Sequence, residues 1–392
     1  MFYSRGKYSG VIKLKRIIAG MTAALLAVIL VFPFHAKGIS AQSALLLDCA
    51  TGRVLYSKVP GRKSLIASTT KIMTALVICE QCNVLDSVRI PREAVGIEGS
   101  SMYLQPDEIL TVQDLLYGMM LHSGNDAATA LAIYCGGTVE GFVQLMNDKA
   151  RVLGMTNTNF ENPHGLDGAH HYSTAEDLGK LAAYAMGNPI FAKVVSTKNV
   201  RVGDRYLKNH NKLLWNVEGA DGIKTGYTKS AGRILVSSAS RGGRRLVAVT
   251  IADPDDWYDH KQLLEQGFAN FHTQTIISKN TVIGSIEVAG GHEQNVELIT
   301  VDDFCYSVGS DEKVDVVLPK PGFVYAPVVS GQEAGYAQVY LNDQWIGKIA
   351  LVFGSTIEKM EEKPKGLVRL FGGKRHDGTY TKDSVSTGSL LP

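Results

Sequence analysis

The spacing of apolar positions changes character several times along the chain. A basic head (Arg5, Lys7, Lys13, Lys15 and Arg16) precedes an apolar run from Ile17 to Phe34, and small residues follow at Ala36, Gly38, Ser40 and Ala41. This is the layout of a cleaved export signal. The run is also close to membrane-spanning length, so a retained anchor is the alternative. Pro33 and the small residues beyond it favour the signal. Two short strands are then expected, Ala44 to Asp48 and Arg53 to Tyr56, around the turn Ala50-Thr51-Gly52. From Ser68 to Glu80 the period is helical, with Ile72, Met73, Leu76 and Val77 on one stripe. Thr111-Val-Gln-Asp114 opens another helix with a capping signature, ending near Ser123-Gly124-Asn125, and a further helix runs from about Asp126 to Tyr134. Thr138 caps a helix that stops near Leu153 before Gly154, and Ser173-Thr-Ala-Glu176 reads as a capping box ahead of Leu178 to Met186.

Beyond Asp221 the period shortens. Arg233 to Ser238 and Arg245 to Ile251 read as strands joined by the turn Arg241-Gly-Gly-Arg244, with a helix from about Trp257 to Phe271. Strands with helices inserted mid-chain make the first domain α/β. From about Ile276 only strands are expected: Thr281 to Val288, Val296 to Thr300, Lys313 to Leu318, Ala337 to Leu341 and Ile346 to Val352. The expected division is therefore a signal over 1–40, an α/β domain over 41–275, a smaller all-β domain over 276–353 and a polar tail over 354–392. In the tail, Leu367, Val368, Leu370 and Phe371 beside Arg369, Lys374 and Arg375 suit either a membrane-surface segment or a loosely ordered end.

Composition narrows the functional classes. The chain has 392 residues and a formal net charge of +2, with no basic block, so nucleic acid is not an expected partner. The cysteines Cys49, Cys79, Cys82, Cys135 and Cys305 are odd in number, so they cannot all pair within one exported chain. Cys79 and Cys82 form a C-x-x-C with no second half to complete a metal set, and they are read as buried thiols without function. His164, His170 and His171 likewise lack the carboxylate partners of a metal site and are read as loop residues. No metal and no cofactor is expected.

Three short elements carry the candidate chemistry. In Ser68-Thr69-Thr70-Lys71 a hydroxyl and an amine stand three residues apart, about 60° apart around a helix axis, so they can meet. Serine attacks well only when a base removes its proton, and a lysine becomes that base when burial and neighbouring positive charge lower its pKa. In Ser123-Gly124-Asn125 a second hydroxyl can relay a proton, and an amide can orient the lysine and bind a substrate carbonyl. Lys224-Thr225-Gly226 precedes a strand, so an amine and a hydroxyl can meet a substrate carboxylate at a sheet edge while Gly226 allows close backbone approach. Tyr227 adds a backbone N–H for an oxyanion, a contribution of about 3 kcal/mol per donor.

In this order, S-x-x-K, an S-x-N element and K-T-G form the signature of penicillin-binding proteins and class A β-lactamases. The blocks around them, Ile66 to Leu76, Gly99 to Leu104, Leu115 to Ala128, Asn162 to Leu166 and Asp221 to Gly226, resemble the D-alanyl-D-alanine carboxypeptidases among the low-molecular-mass penicillin-binding proteins. The resemblance runs from about Ser40 to Phe271 and continues more loosely to about Phe353. It implies an antiparallel sheet with helices followed by a smaller all-β domain. Ser68 would be the acyl-enzyme nucleophile and Lys71 its base, with Ser123 and Asn125 serving proton relay and orientation. Lys224, Thr225 and Gly226 would line the carboxylate side, and Ser68 and Tyr227 N–H groups would form the oxyanion hole. The implied substrates are peptidoglycan stems ending in D-Ala-D-Ala, with β-lactams as covalent inhibitors, at the cell wall or the outer face of the cytoplasmic membrane. Some relatives carry an arginine where this chain has His210, and another near Trp257, so carboxylate recognition is expected to lean on Lys224 and Thr225. Alternatives are a β-lactamase, a D,D-endopeptidase or transpeptidase of the same superfamily, and a non-catalytic wall-binding protein, which penicillin would not label. Glu161 does not read as the deacylating glutamate of a β-lactamase. Tyr103 and Tyr117 are candidates for a groove wall or for core packing.

Overall fold

The computed structural model describes residues 38–318 and 322–361. The apolar run of the export signal and the polar tail beyond 361 lie outside these residues. No helix among the described residues is long and apolar enough to cross a membrane.

The first unit extends to Ile276 and includes Cys305–Glu312. Its strands are β1 (Ser43–Asp48), β2 (Val54–Lys58), β3 (Ser87–Arg89), β4 (Ile109–Thr111), β5 (Asn199–Val202), β6 (Arg205–Lys208), β7 (Ala220–Thr228), β8 (Gly232–Arg241), β9 (Arg244–Ile251) and β10 (Phe271–Ile277). Its helices are α1 (Lys71–Gln81), α2 (Val112–Leu121), α3 (Asn125–Gly136), α4 (Val139–Val152), α5 (Ala175–Ala185), α6 (Pro189–Ser196), α7 (Leu213–Asn216) and α8 (Asp256–Asn270). Five strands form an antiparallel sheet in the order β2-β1-β9-β8-β7.

Both faces of that sheet are covered, which explains its nearly continuous apolar strands. Successive side chains alternate between two cores. Leu45, Ile234, Val236, Val247 and Val249 pack under the inserted helices, while Leu46, Leu235, Ala239, Leu246 and Ala248 pack with Leu263 and Leu264 of α8. Helix α1 is buried from Lys71 to Cys79, as expected of a helix that is apolar all round. It follows directly on the turn that carries Ser68 and has Lys71 as its first residue.

Most caps fall where the sequence places them. Thr111 and Asp114 form a reciprocal capping box, and Thr138 caps α4. The cap of α5 is Thr174, not Ser173: its hydroxyl accepts the Asp177 N–H, while Ser173 Oγ turns to Thr158. The Gly242-Gly243 turn has positive φ at both residues, 56° and 80°, which glycine allows without cost. Helix α6 and the β5–β6 hairpin were not foreseen. Their signals are Asn188-Pro189, a side-chain cap followed by proline in the first turn, and a two-residue Gly203-Asp204 turn.

The remaining strands are β11 (Val282–Ala289), β12 (Asn295–Thr300), β13 (Phe304–Gly309), β14 (Val314–Val317), β15 (Val324–Tyr325), β16 (Glu333–Leu341) and β17 (Gln344–Phe353). The second unit holds a six-stranded sheet in the order β14-β16-β17-β12-β11-β15 around Ile286, Val296, Leu298, Ala337, Leu351 and Phe353. Residues 305–312 return to the first unit. There Ser307 donates to Asp48 Oδ2 at 2.6 Å, and Arg53 forms a bidentate ion pair with Glu312.

Candidate active site

A cleft of about 320 Å³ opens beside the edge strand β7, lined by Ser68, Ser100, Ser123, His210, Thr225, Gly226, Tyr227, Arg233, Asp256 and Trp257. It brings together residues separated by almost two hundred positions. Ser68 lies in a 3-10 turn, Ala67–Thr70, that runs directly into α1. The neighbours Ala67, Thr69 and Thr70 are buried and only Ser68 is partly exposed, so its hydroxyl is the group offered to solvent.

Lys71 lies fully buried beneath it. Its Nζ is 3.1 Å from Ser68 Oγ, 2.7 Å from Asn125 Oδ1 and 2.6 Å from the His164 carbonyl oxygen. Burial, and then the charge of Lys224, lower the Lys71 pKa well below that of a free lysine, with Asp126 opposing in part. A neutral amine has two N–H groups and one lone pair. The two carbonyl oxygens accept those N–H groups, which leaves the lone pair directed at the Ser68 hydroxyl. The ammonium form would instead donate to Ser68 and could not take its proton.

Asn125 connects this lysine to the cleft rim. Its Oδ1 accepts from Lys71 and its Nδ2 donates to the Glu98 carbonyl. One N–H of the amide therefore remains for substrate. Next to it, the buried Asp126 accepts from Ser101 Oγ (2.6 Å), Met102 N and Leu104 N (3.1 Å each), and so anchors the rim segment to the start of α3. Tyr103 stands out from that rim at 76% exposure, whereas Tyr117 is packed in the core.

Ser123 has a positive φ of 65°, an unfavourable conformation for serine that the surrounding contacts maintain. Its Oγ accepts from Lys224 Nζ at 3.0 Å, and the same amine donates to the Thr225 carbonyl at 3.0 Å. Lys224 is buried, which brings its pKa down to about 7. Gly226 lies where β7 passes the Ser68 turn: a Cβ there would sit 3.2 Å from the Ile66 oxygen and 3.3 Å from Ser68 N. A side chain would push the strand away from the turn, and with it the Tyr227 N–H from that of Ser68.

The loop histidines are structural. The Nδ1 of His171 accepts the Glu161 N–H at 3.0 Å, so its neutral ring carries the proton on Nε2 and donates to Thr70 Oγ1 at 2.7 Å. His164 acts through its carbonyl on Lys71. Glu161 Oε2 accepts from His170 N and is not among the residues lining the cleft. Of the C-x-x-C pair, Cys79 is buried and Cys82 half-buried, with the Cys82 and Cys135 thiols hydrogen-bonded to each other.

His210 cannot stand in for an arginine. Burial, Lys224 and His122 lower its pKa to about 4, so it is neutral near pH 7. The cleft obtains its guanidinium from elsewhere. Arg233, opposite Tyr227 across the β7–β8 ladder, lines the same wall, held by Asp256 at 2.6 Å and stacked on Trp257 at 5.8 Å. The sequence reading missed this residue, because an arginine at the start of a strand carries no signal until strand pairing sets it across from Tyr227.

These ionisations predict a bell-shaped dependence of kcat/KM on pH. Activity should fall on the acid side as Lys71 gains a proton and loses its lone pair. It should fall on the alkaline side as Lys224, with its pKa near 7 in the free enzyme, loses the charge that meets a carboxylate. Replacing the substrate's terminal carboxylate with an amide should remove the alkaline limb, and a limb that persists would assign it to another group.

The family description "D-alanyl-D-alanine carboxypeptidase" matches residues 31–255, and "Penicillin-binding protein 5, C-terminal domain" matches residues 271–359. Among curated relatives, the D-alanyl-D-alanine carboxypeptidase DacF of Bacillus subtilis is 33% identical over 75% of this chain and 80% of its own. The D-alanyl-D-alanine carboxypeptidase DacC of Escherichia coli is 32% identical over 83% of this chain and 86% of its own. Among solved structures, penicillin-binding protein 5 from Haemophilus influenzae superposes with a TM-score of 0.72 at 31% identity, covering 82% of this chain and 99% of that one.

Proposed function

The chain belongs to the D-alanyl-D-alanine carboxypeptidase family of penicillin-binding proteins, and on that premise we propose that Ser68 is its acyl-enzyme nucleophile and Lys71 the base that activates it. The protein is a serine-type D-Ala-D-Ala carboxypeptidase with an α/β domain and a C-terminal all-β domain. The family acts on peptidoglycan D-Ala-D-Ala termini and binds β-lactams. The observation that carries the site assignment is the Lys71 environment, in which two carbonyl acceptors and a low pKa leave the lone pair on Ser68 Oγ.

The reaction follows from that arrangement. Ser68 Oγ attacks the scissile carbonyl carbon as its proton passes to Lys71 Nζ. The oxyanion meets the backbone N–H groups of Ser68 and Tyr227, brought near each other by Gly226. The tetrahedral intermediate collapses by breaking the C–N bond. The proton taken up by Lys71 is passed through the Ser123 hydroxyl, which Lys224 holds in place, to the departing D-Ala nitrogen, which leaves as a neutral amine. Water then attacks the ester and the proton movements reverse, releasing the shortened stem. A β-lactam undergoes the same attack, but its cleaved amide remains tethered in the cleft.

The terminal carboxylate is received by Lys224, Thr225 and Arg233. Arg233→Ala should lower kcat/KM on a diacetyl-Lys-D-Ala-D-Ala peptide by about 10- to 100-fold, the scale of a lost charge-assisted hydrogen bond. It should change use of the C-terminally amidated peptide little. Equal losses on both substrates would remove Arg233 from carboxylate recognition. We read the enzyme as exported and working at the wall or the outer face of the cytoplasmic membrane, with a membrane-surface contact through the tail.

A further inference from the structure

Two acids outside the catalytic cleft lack a counter-charge. Asp253 and Asp259 flank the start of α8, both 0% exposed. One oxygen of each, Asp253 Oδ2 and Asp259 Oδ1, has no hydrogen-bond partner. Among the described residues no ion pair reaches either carboxylate. Both converge instead on Ser40: its Oγ lies 2.7 Å from Asp253 Oδ1 and 2.8 Å from Asp259 Oδ2, and its backbone N–H donates to Asp259 Oδ2 at 2.5 Å. Ser40 has one hydroxyl proton for two carboxylate oxygens, and the Asp255 N–H, a neutral donor, also reaches Asp253 Oδ1 at 3.1 Å. Among the described residues the two carboxylates therefore have only neutral donors and no compensating positive charge. Asp253 responds as such a group must, with its pKa raised by burial and, to a lesser degree, by Asp259.

The groups facing the pair do not supply that charge. Thr250, beside Asp253, meets His260 Nε2 through its Oγ1 at 2.9 Å. Burial lowers the His260 pKa to about 3, so that ring is neutral. Tyr56 lies near Asp259 with its pKa raised. The Lys58 ammonium donates to the Ile39 carbonyl at 2.7 Å and so anchors the chain just ahead of Ser40.

The sequence places a cleavage point at this spot. Ala36-Lys37-Gly38 has the small–any–small form read by signal peptidases, and cutting after Gly38 makes Ile39 the first residue. Consecutive backbone nitrogens lie within about 3.8 Å of each other, so the new α-amino group would stand one peptide unit from the Ser40–Asp259 bond. Ile39 is already held by Lys58 and packs against the core beneath α8.

We propose that the α-ammonium freed by cleavage after Gly38 is the missing cation of the Asp253–Asp259 pair, so that removal of the leader locks the segment carrying Asp256 and Trp257 in the wall of the active-site cleft. In the uncut precursor the same position is an uncharged peptide, and the two buried acids oppose each other at the base of that wall. Processing then serves export and also steadies Arg233 through Asp256. The proposal rests on the reading of the leader as an export signal, and not on the assignment of the nucleophile.

The test uses the whole chain expressed in a secreting bacterium. N-terminal sequencing should find Ile39 first. The mature protein is then compared with one that retains Gly-Ser-Gly-Ser ahead of Ile39. The extension should lower Tm by several degrees and raise KM for the D-Ala-D-Ala peptide several-fold, with penicillin acylation of Ser68 within twofold. The differences should disappear in an Asp253→Asn background. If that variant does not fold, titration of the isotope-labelled α-amino group decides: it should lie above the ordinary range of about 7.7–8.0. A mature chain lacking Ser40, an extension without effect on Tm, or an α-amino group titrating in the ordinary range would overturn the proposal. Penicillin labelling that fails in every form would instead count against the enzymatic reading.

Discussion

Replacing Ser68 with alanine is expected to abolish both covalent penicillin labelling and release of D-Ala, a loss on the order of 10⁶-fold that reaches the detection limit of either assay. Two other serines line the cleft, Ser100 and Ser123. Neither takes over. Ser123 Oγ accepts from Lys224, whose second contact is the Thr225 carbonyl, so it faces the carboxylate side of the cleft. Ser100 gives its carbonyl to Asn125 N at 2.7 Å and serves as rim backbone. Of these three serines, Ser68 is the one whose Oγ has a hydrogen bond to the Lys71 amine. The substitution removes one partly exposed oxygen from a buried turn, so Tm should change little and the loss will not reflect misfolding. Fluorescent penicillin on a denaturing gel, run beside a D-Ala assay, checks both. Persistent labelling, mapped by mass spectrometry to Ser100 or Ser123, would show that the wrong hydroxyl had been chosen.

Lys71→Met should slow acylation by about 10²- to 10⁴-fold while leaving the protein folded. Methionine keeps much of the volume and supplies no base. The neutral lysine is costly to bury and is stabilised by Asn125 Oδ1 and the His164 carbonyl. Removing it leaves those oxygens unpaired but also removes a buried amine, so the stability effects oppose each other. The distinguishing readout is the pH profile. The acid limb assigned to Lys71 should disappear from the residual acylation rate. A variant that keeps the acid limb would place the base elsewhere, and His164 is excluded from that role by a pKa near 3 and a position that presents its carbonyl.

The motifs were legible because their chemistry is local. In Ser68-Thr-Thr-Lys71 the two reacting groups are joined by one helical turn, and no distant residue is needed to bring them into register. The strands of the central sheet were legible for a related reason. Leu45-Leu46-Leu47 and Leu246-Val247-Ala248-Val249 are apolar at every position, and a short run of that kind between turns reads as a strand covered on both sides. Helix α6 and the β5–β6 hairpin were not, since their local signals are short and their apolar side chains find core neighbours only in other parts of the chain. Val202 and Leu207 become buried only within the core that the helices complete.

The sequence by itself determined the proposed pairing of Ser68 with Lys71, the alternation of strands and helices, and the family, because each rests on residue types at short spacing. The tertiary structure alone decided how those parts become a catalyst. Two acceptors that fix the arrangement, the Glu98 carbonyl for Asn125 and the His164 carbonyl for Lys71, are backbone oxygens that any residue provides. Arg233 enters the cleft only through strand pairing, and its partner Asp256 begins a helix 23 residues further on. The low pKa values of Lys71 and Lys224 come from burial, which depends on the whole packed unit. Ser40 meets Asp253 and Asp259 across more than two hundred residues for the same reason. Local spacing specifies which groups can react, whereas solvent exclusion and long-range pairing set their charge, and those exist only once the chain has folded.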